Sequence, residues 1–206
     1  MLILAAFDPE LAPFSEPLRS QGRTVGVGLV TAAHATARLL ASLRPRAVVL
    51  VGSCGAYDAA SVAVGSVIVA EHVVLVDAAA VQGYGAIPGP MNVRAEVDPA
   101  LLGRFEDCGC VPGVVASTLG ITTSDDLARG MAQHGGARFE NLEAFAVVEA
   151  CAAAGVPCAV VLGVTNVVGS QGRAQWQRNH VEVAARVAHL VEETVAKRST
   201  KGRSRA

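Results

Sequence analysis

Aromatic side chains are scarce in this chain: they make up 4% of its 206 residues, with a single tryptophan. Its core must therefore be assembled from Val, Ala and Leu within an apolar content of 51%, which suits buried parallel strands covered by small-residue helix faces. Net charge is nearly absent as well, at -1. Without a global field the chain has nothing to attract nucleic acid or an anionic membrane, and neither is expected as a partner. One basic run, 197–206, lacks an apolar period and reads as a disordered, solvated tail, a nucleic-acid arm being the other reading. The five cysteines are odd in number and show no disulfide spacing, which fits a reducing cytoplasm. Cys108-Gly109-Cys110 is half of a metal motif without a second pair, so no metal and no cofactor are expected. No apolar run is long and clean enough to span a bilayer, and the start of the chain lacks a signal-peptide pattern.

What is present is an alternation of short β-branched runs with longer Ala/Leu segments at helical period, the pattern of an α/β fold. The length suits one domain, 1–196. Strands are expected at 2–6, 23–27, 47–52, 66–70, 72–77, 113–117 and 158–164. Helices are expected at 32–43, at 124–134 behind the Ser124 cap, at 143–154 and at about 174–196. The last would carry Val181, Ala184, Val187, Ala188 and Val195 on one side. The Gly/Pro-rich stretch 78–98 reads as a loop, with Tyr84, Met91 and Asn92 either bordering a pocket or merely connecting.

Chemistry-bearing residues cluster in a few places. Gly52-Ser53-Cys54-Gly55 follows the strongest strand, where its glycines either let the backbone approach a ligand or simply make a turn. Gly26-Val27-Gly28 precedes a helix, and Gly28 would let a ribose or small anion approach its start. In Asp8-Pro9-Glu10, Asp8 reads as an N-cap and Pro9 as the first helical residue. Glu10 is then either a first-turn charge or a carboxylate able to deprotonate water. Glu143 opens an apolar helix, and a carboxylate among residues that want burial needs donors such as ribose hydroxyls; the plainer reading is a helix-start charge on solvent. Asn166, at the end of a hydrophobic strand, is a turn residue or an amide set against a purine edge. Trp176 either stacks on a base or plugs the last helix onto the domain. Thr122, at a strand end, is structural or lines a base pocket. An amide and a carboxylate brought together at strand ends suit a polar heteroaromatic base joined to a sugar diol.

In this order, the segments resemble the nucleoside phosphorylase and nucleosidase superfamily over nearly all of 1–195. Gly52-Ser53-Cys54-Gly55 is similar to that family's Gly-Ser-[Cys/Ala]-Gly loop, and Asn141-Leu142-Glu143 to its [Glu/Asn]-Met-Glu ribose motif. The resemblance implies a three-layer fold, a twisted mixed sheet flanked by helices, with the site at strand ends and a homo-oligomer. It also implies that Glu143, Leu142, Ser53 and Gly28 bind the ribose, and that Cys54, Gly55, Thr122, Asn166 and Trp176 surround the base. Glu10 would activate water, with Asn166 assisting the leaving base. Asn166 stands where adenine-specific members carry Asp, so the implied base is a 6-oxopurine. Leu50 and Leu11 stand where hexameric phosphorylases carry arginines, which implies hydrolysis rather than phosphorolysis. Glu140-Asn141-Leu142-Glu143 with Thr165-Asn166-Val167-Val168-Gly169, Arg173 and Trp176 most resembles the futalosine hydrolase branch, which releases hypoxanthine from futalosine in menaquinone biosynthesis. The partners implied are a purine nucleoside and water. Phosphorolysis of inosine or guanosine, methylthioadenosine-type hydrolysis and a non-catalytic nucleoside sensor are the other readings.

Overall fold

The computed structural model describes residues 1–203 except 59 and 135, without the side chains of 198–203. In chain order the elements are β1 (Leu2–Ala5), α1 (Asp8–Leu11), α2 (Glu16–Arg19), β2 (Gly22–Thr24), α3 (Leu29–Leu43), β3 (Val48–Ala56), β4 (Val67–Leu75) and α4 (Ala78–Val81). They continue with β5 (Arg94–Glu96), α5 (Pro99–Glu106), β6 (Val111–Ser117), α6 (Asp125–Gln133), β7 (Phe139–Asn141), α7 (Ala144–Ala153), β8 (Cys158–Val167) and α8 (Gly172–Arg203). The backbone of α8 thus enters the run expected as a basic tail, whose remainder lies outside the described residues. No helix among the described residues is long and apolar enough to cross a membrane.

The strands form one mixed sheet, as expected of an α/β chain with two kinds of connection. β3 and β8 are its centre: their continuous Val/Leu runs are buried and pair in parallel from Val48 with Cys158 to Cys54 with Val164. β1 and β2 extend the sheet in parallel beyond β3. On the other side β8 meets β4 antiparallel, β4 meets β6 parallel, β6 meets β7 parallel, and β7 returns antiparallel to β3. The sheet therefore closes on itself at the carboxyl end of β3, where Gly55 is flanked by strands on both sides.

Helices cover both faces. Ala32 and Leu40 of α3, with the apolar α7, join one core cluster with Leu50, Leu162 and Phe139. Leu101 and Phe105 of α5 and Val187, Ala188 and Val191 of α8 join another with Ile3, Val49, Val69 and Val161. This is the three-layer arrangement expected, and small side chains rather than aromatics fill most of it.

Several local expectations are corrected. The Gly-Ser-Cys-Gly segment is part of β3, not a loop after a strand ending at 52; an irregularity between Cys54 and Gly55 lets the pairing with β8 continue. Likewise β8 runs past 164, so Asn166 sits within a strand rather than in a turn. The strands expected at 66–70 and 72–77 are a single β4, whose pairing with β6 shifts register between Ala70 and Val73. The strand expected at 23–27 is only Gly22–Thr24, and the helix expected from 32 begins at Leu29. α4 and β5 interrupt the loop expected at 78–98, while α5 and β7 have no counterpart in the sequence reading. Phe7 rather than Asp8 is the N-cap of α1. Trp176 lies on α8, and Val181, expected on the packed side of that helix, faces solvent, the buried face being carried by Val183, Val187 and Val191.

Replacing Leu162, fully buried in the central strand, by Ala is expected to cost about 2–5 kcal/mol. Val181→Ala, at an exposed position, is expected to change stability by less than about 0.5 kcal/mol. Urea unfolding of the two variants checks the contrast.

Candidate active site

A cavity of about 390 Å³ opens over the carboxyl end of β3, within the range of small-molecule sites. Glu10, Ser53, Cys54, Gly55, Thr122, Leu142, Glu143, Asn166 and Trp176 all line it. Gly28 stands behind them, with its neighbour Val27 on the wall. Tyr84, Met91 and Asn92 of the 78–98 stretch are not among the lining residues.

Glu10 is delivered by the single turn of α1, whose other acidic residue, Asp8, stays outside. Glu10 is 8% exposed. Its carboxylate accepts the N–H of Ala6 at 3.0 Å, the N–H of Ser53 at 3.1 Å and the Ser53 hydroxyl at 3.3 Å. Burial, reinforced by the charge of Glu143, raises its carboxyl to about 7 against the pull of those donors. A carboxylate poised near neutrality in a cavity is the setting of a general base. Ser53 is oriented from the other side, since Trp176 Nε1 donates to its Oγ at 3.2 Å. The indole stacks on His180, with centroids 4.3 Å apart, and tilts against Phe7 at 6.3 Å. Its contacts therefore fall at the Glu10 end of the cavity.

Glu143 is the N-cap residue of α7 and is buried. Its Oε1 accepts the Gly28 N–H at 2.8 Å and its Oε2 accepts Asn141 Nδ2 at 3.1 Å. Gly28 adopts φ 88° at the start of α3, a left-handed conformation that a side chain would strain. Burial raises the Glu143 carboxyl, and these donors oppose the rise. Asn141 organises the whole corner. Its Oδ1 accepts the N–H groups of Glu143 and Ala144 at 2.9 and 2.8 Å, while Nδ2 also reaches the Ser53 carbonyl at 3.1 Å. Sequence reasoning gave Asn141 no role of its own; the signal was an Asn two residues before a helix-opening Glu, the spacing of a helix cap.

Asn166 lies at the other end. Its Oδ1 accepts from Thr165 Oγ1 at 2.8 Å, and Nδ2 donates to the Val167 carbonyl at 3.1 Å. Gly55 makes room for it, since a Cβ there would lie 2.8 Å from Nδ2. Cys54 is buried, and burial pushes its thiol up. Arg173, read from sequence only as part of a pattern, is the cation among the lining residues. Nothing among the described residues groups three or more His, Cys, Asp or Glu side chains as a metal site.

Glu10 also leaves a thermodynamic signature. Its carboxyl titrates near 7 when folded and near its ordinary value when unfolded, so between those values the folded chain holds the extra proton. Stability contributed by Glu10 is therefore lost as pH rises through about 7. Glu10→Gln is expected to unfold with a flatter dependence on pH between about 5 and 8 and to gain stability on wild type toward the alkaline side. Urea midpoints of both proteins across that range test this.

Glu10, Glu140, Glu143 and Asn166 share one cavity at the strand ends of a closed mixed sheet, an arrangement that can be compared with known proteins. Residues 20–196 match the phosphorylase superfamily. The futalosine hydrolase of Streptomyces coelicolor is 34% identical over 164 residues, covering 74% of this chain and 69% of that protein. The 5′-methylthioadenosine/S-adenosylhomocysteine nucleosidase of Geobacillus sp. is 29% identical over 181 residues, covering 81% and 75%. The Helicobacter pylori 5′-methylthioadenosine/S-adenosylhomocysteine nucleosidase, solved with butyl-thio-DADMe-Immucillin-A, superposes with a TM-score of 0.83 at 17% identity, covering 95% of this chain and 97% of that one. The fold thus agrees over 95% of the chain, and with the family match spanning residues 20–196 this protein belongs to the phosphorylase superfamily.

Proposed function

We propose that the protein is an N-ribosyl hydrolase that cleaves a 6-oxopurine nucleoside, futalosine being the substrate favoured. The observation that carries this reading is Glu10, buried against Ser53 with its carboxyl near 7, in the cavity that also holds Glu143 and Asn166. Water bound beside Ser53 gives a proton to Glu10 as its oxygen bonds to C1′. The C1′–N9 bond breaks with its electron pair going to the base. Glu143, aided by the Leu142 backbone, holds the ribose hydroxyls, with Ser53 and Gly28 near the sugar. Cys54, Gly55 and Thr122 border the base region, while Trp176, expected there, orients Ser53 at the Glu10 end. Asn166 hydrogen-bonds the departing base, which stabilises the charge that develops on it.

An amide is not an acid, and this favours hypoxanthine over adenine as the leaving group. The similarity to the Streptomyces coelicolor futalosine hydrolase supports the same choice. An anionic Glu10 at the nucleophile's seat would repel phosphate, whereas phosphorolysis asks for several cations and Arg173 is a single one. Val27 and Ile121 are exposed and line the cavity, and they support a homo-oligomer in which a second copy covers the opening. A cytoplasmic site of action accords with the free cysteines.

Hypoxanthine or adenine release from futalosine, inosine and methylthioadenosine, with and without phosphate, tests the reading. Release from futalosine without phosphate, giving a sugar with a free anomeric hydroxyl, is the expected result. Asn166→Asp is expected to shift the ratio of kcat/KM toward methylthioadenosine by about tenfold or more. Release that requires phosphate and yields a sugar 1-phosphate would establish phosphorolysis, and no release from any of the three would remove the enzyme reading.

A further inference from the structure

Gly55 pairs with Glu140 of β7 on one side and with Asn166 of β8 on the other. Paired residues of neighbouring strands point to the same face. Gly55 has no side chain, so this row presents a carboxylate, bare backbone and a carboxamide in sequence. With strands about 4.8 Å apart, the Cα atoms of Glu140 and Asn166 are roughly 10 Å apart, which leaves room for one planar ring over the glycine. All three residues line the cavity. The next row, Ala56 with Phe139, is turned into the core as alternation requires.

Every partner of Glu140 is a donor. Its Oε2 accepts Tyr57 Oη at 2.9 Å and Thr122 Oγ1 at 2.6 Å, and its Oε1 accepts the Thr122 N–H at 2.9 Å. A carboxylate has about four acceptor positions, so Oε1 keeps one open. Glu140 is 7% exposed and held by three hydrogen bonds from Tyr57 and Thr122, and it can offer a ligand only an acceptor. Asn166 keeps a second Nδ2 hydrogen, because only one is engaged by the Val167 carbonyl. The floor of the cavity thus accepts at one edge and donates at the other.

We propose that Glu140 is a specificity-determining residue: its Oε1 accepts the ring N1–H of a 6-oxopurine, while Asn166 donates to the acceptor edge of the same ring. This rests on the nucleoside reading above and deepens it. Adenine carries a lone pair at N1, so it would set acceptor against acceptor and leave both unsatisfied in a confined site. Selection of the base then has an excluding element at Glu140 beside the attracting one at Asn166. Thr122 acts through Glu140 as a positioning residue, which gives the Thr expected near the base a specific task.

Binding of free bases tests this without any turnover, so a failure to hydrolyse futalosine would leave the test intact. Hypoxanthine, 1-methylhypoxanthine and adenine are titrated calorimetrically into the full-length wild type and Glu140→Gln. Wild type is expected to bind hypoxanthine about tenfold to a hundredfold tighter than the other two, the worth of one buried hydrogen bond to a charged group. Glu140→Gln is expected to bring the hypoxanthine-to-adenine ratio close to one, because its amide can donate to N1 of adenine. An unchanged ratio in Glu140→Gln, or equal weakening of all the bases, would show a purely structural Glu140 and overturn the proposal. If the variant fails to fold, the wild-type comparison decides: equal binding of hypoxanthine and its 1-methyl derivative, or no binding of hypoxanthine, overturns it.

Discussion

The burial of Glu10 and Glu143 in one cavity is the constraint around which this molecule is arranged. Burial raises the cost of ionising both Glu10 and Glu143, the charge of Glu143 adds to it at Glu10, and each survives burial only because donors converge on it. Those donors come from distant parts of the chain: Ala6 after β1, Ser53 within β3, Gly28 before α3 and Asn141 at the end of β7. The site therefore exists only when these strand ends are assembled. Removing one donor would leave part of a buried charge unmet, a greater loss than that of an ordinary hydrogen bond.

The sheet supplies that assembly by closing at the carboxyl end of β3. A flat open sheet would give Gly55 one polar neighbour; closure gives it Glu140 on one side and Asn166 on the other. Two residues earlier on the same strand, Ser53 faces Glu10 and Trp176. One strand thereby sets the spacing between the end suited to activating water and the end suited to reading a base. α8 links them, since Gln175 accepts from Val167 N–H while Trp176 reaches Ser53.

Much of this was legible in the sequence because the informative residues break a strong background. A Glu opening an apolar helix and an Asn closing a Val-rich strand stand out when nearly everything around them wants burial. The continuous apolar runs of β3 and β8 likewise announced a covered sheet. The glycines of 52–55 misled, because glycine marks turns and close approaches alike, and here pairing continues through an irregularity. β7 was illegible for a plainer reason: three residues, two of them polar, give no period to detect. Glu140 and Asn141 owe their positions to pairing with β3 and β6, a long-range cause that no local window contains. Val181 was misassigned because helical spacing alone does not say which of two overlapping apolar stripes faces the sheet.

The most direct measurement is the pH dependence of kcat/KM for hypoxanthine release from futalosine by wild type and Glu10→Gln. If Glu10 is the base that takes the proton of water, the wild-type rate rises with pH and levels off above an inflection near 7. Glu10→Gln should lose that inflection together with about two to four orders of magnitude in rate. A wild-type profile flat across neutrality, or a Gln variant that keeps both rate and inflection, would contradict the account.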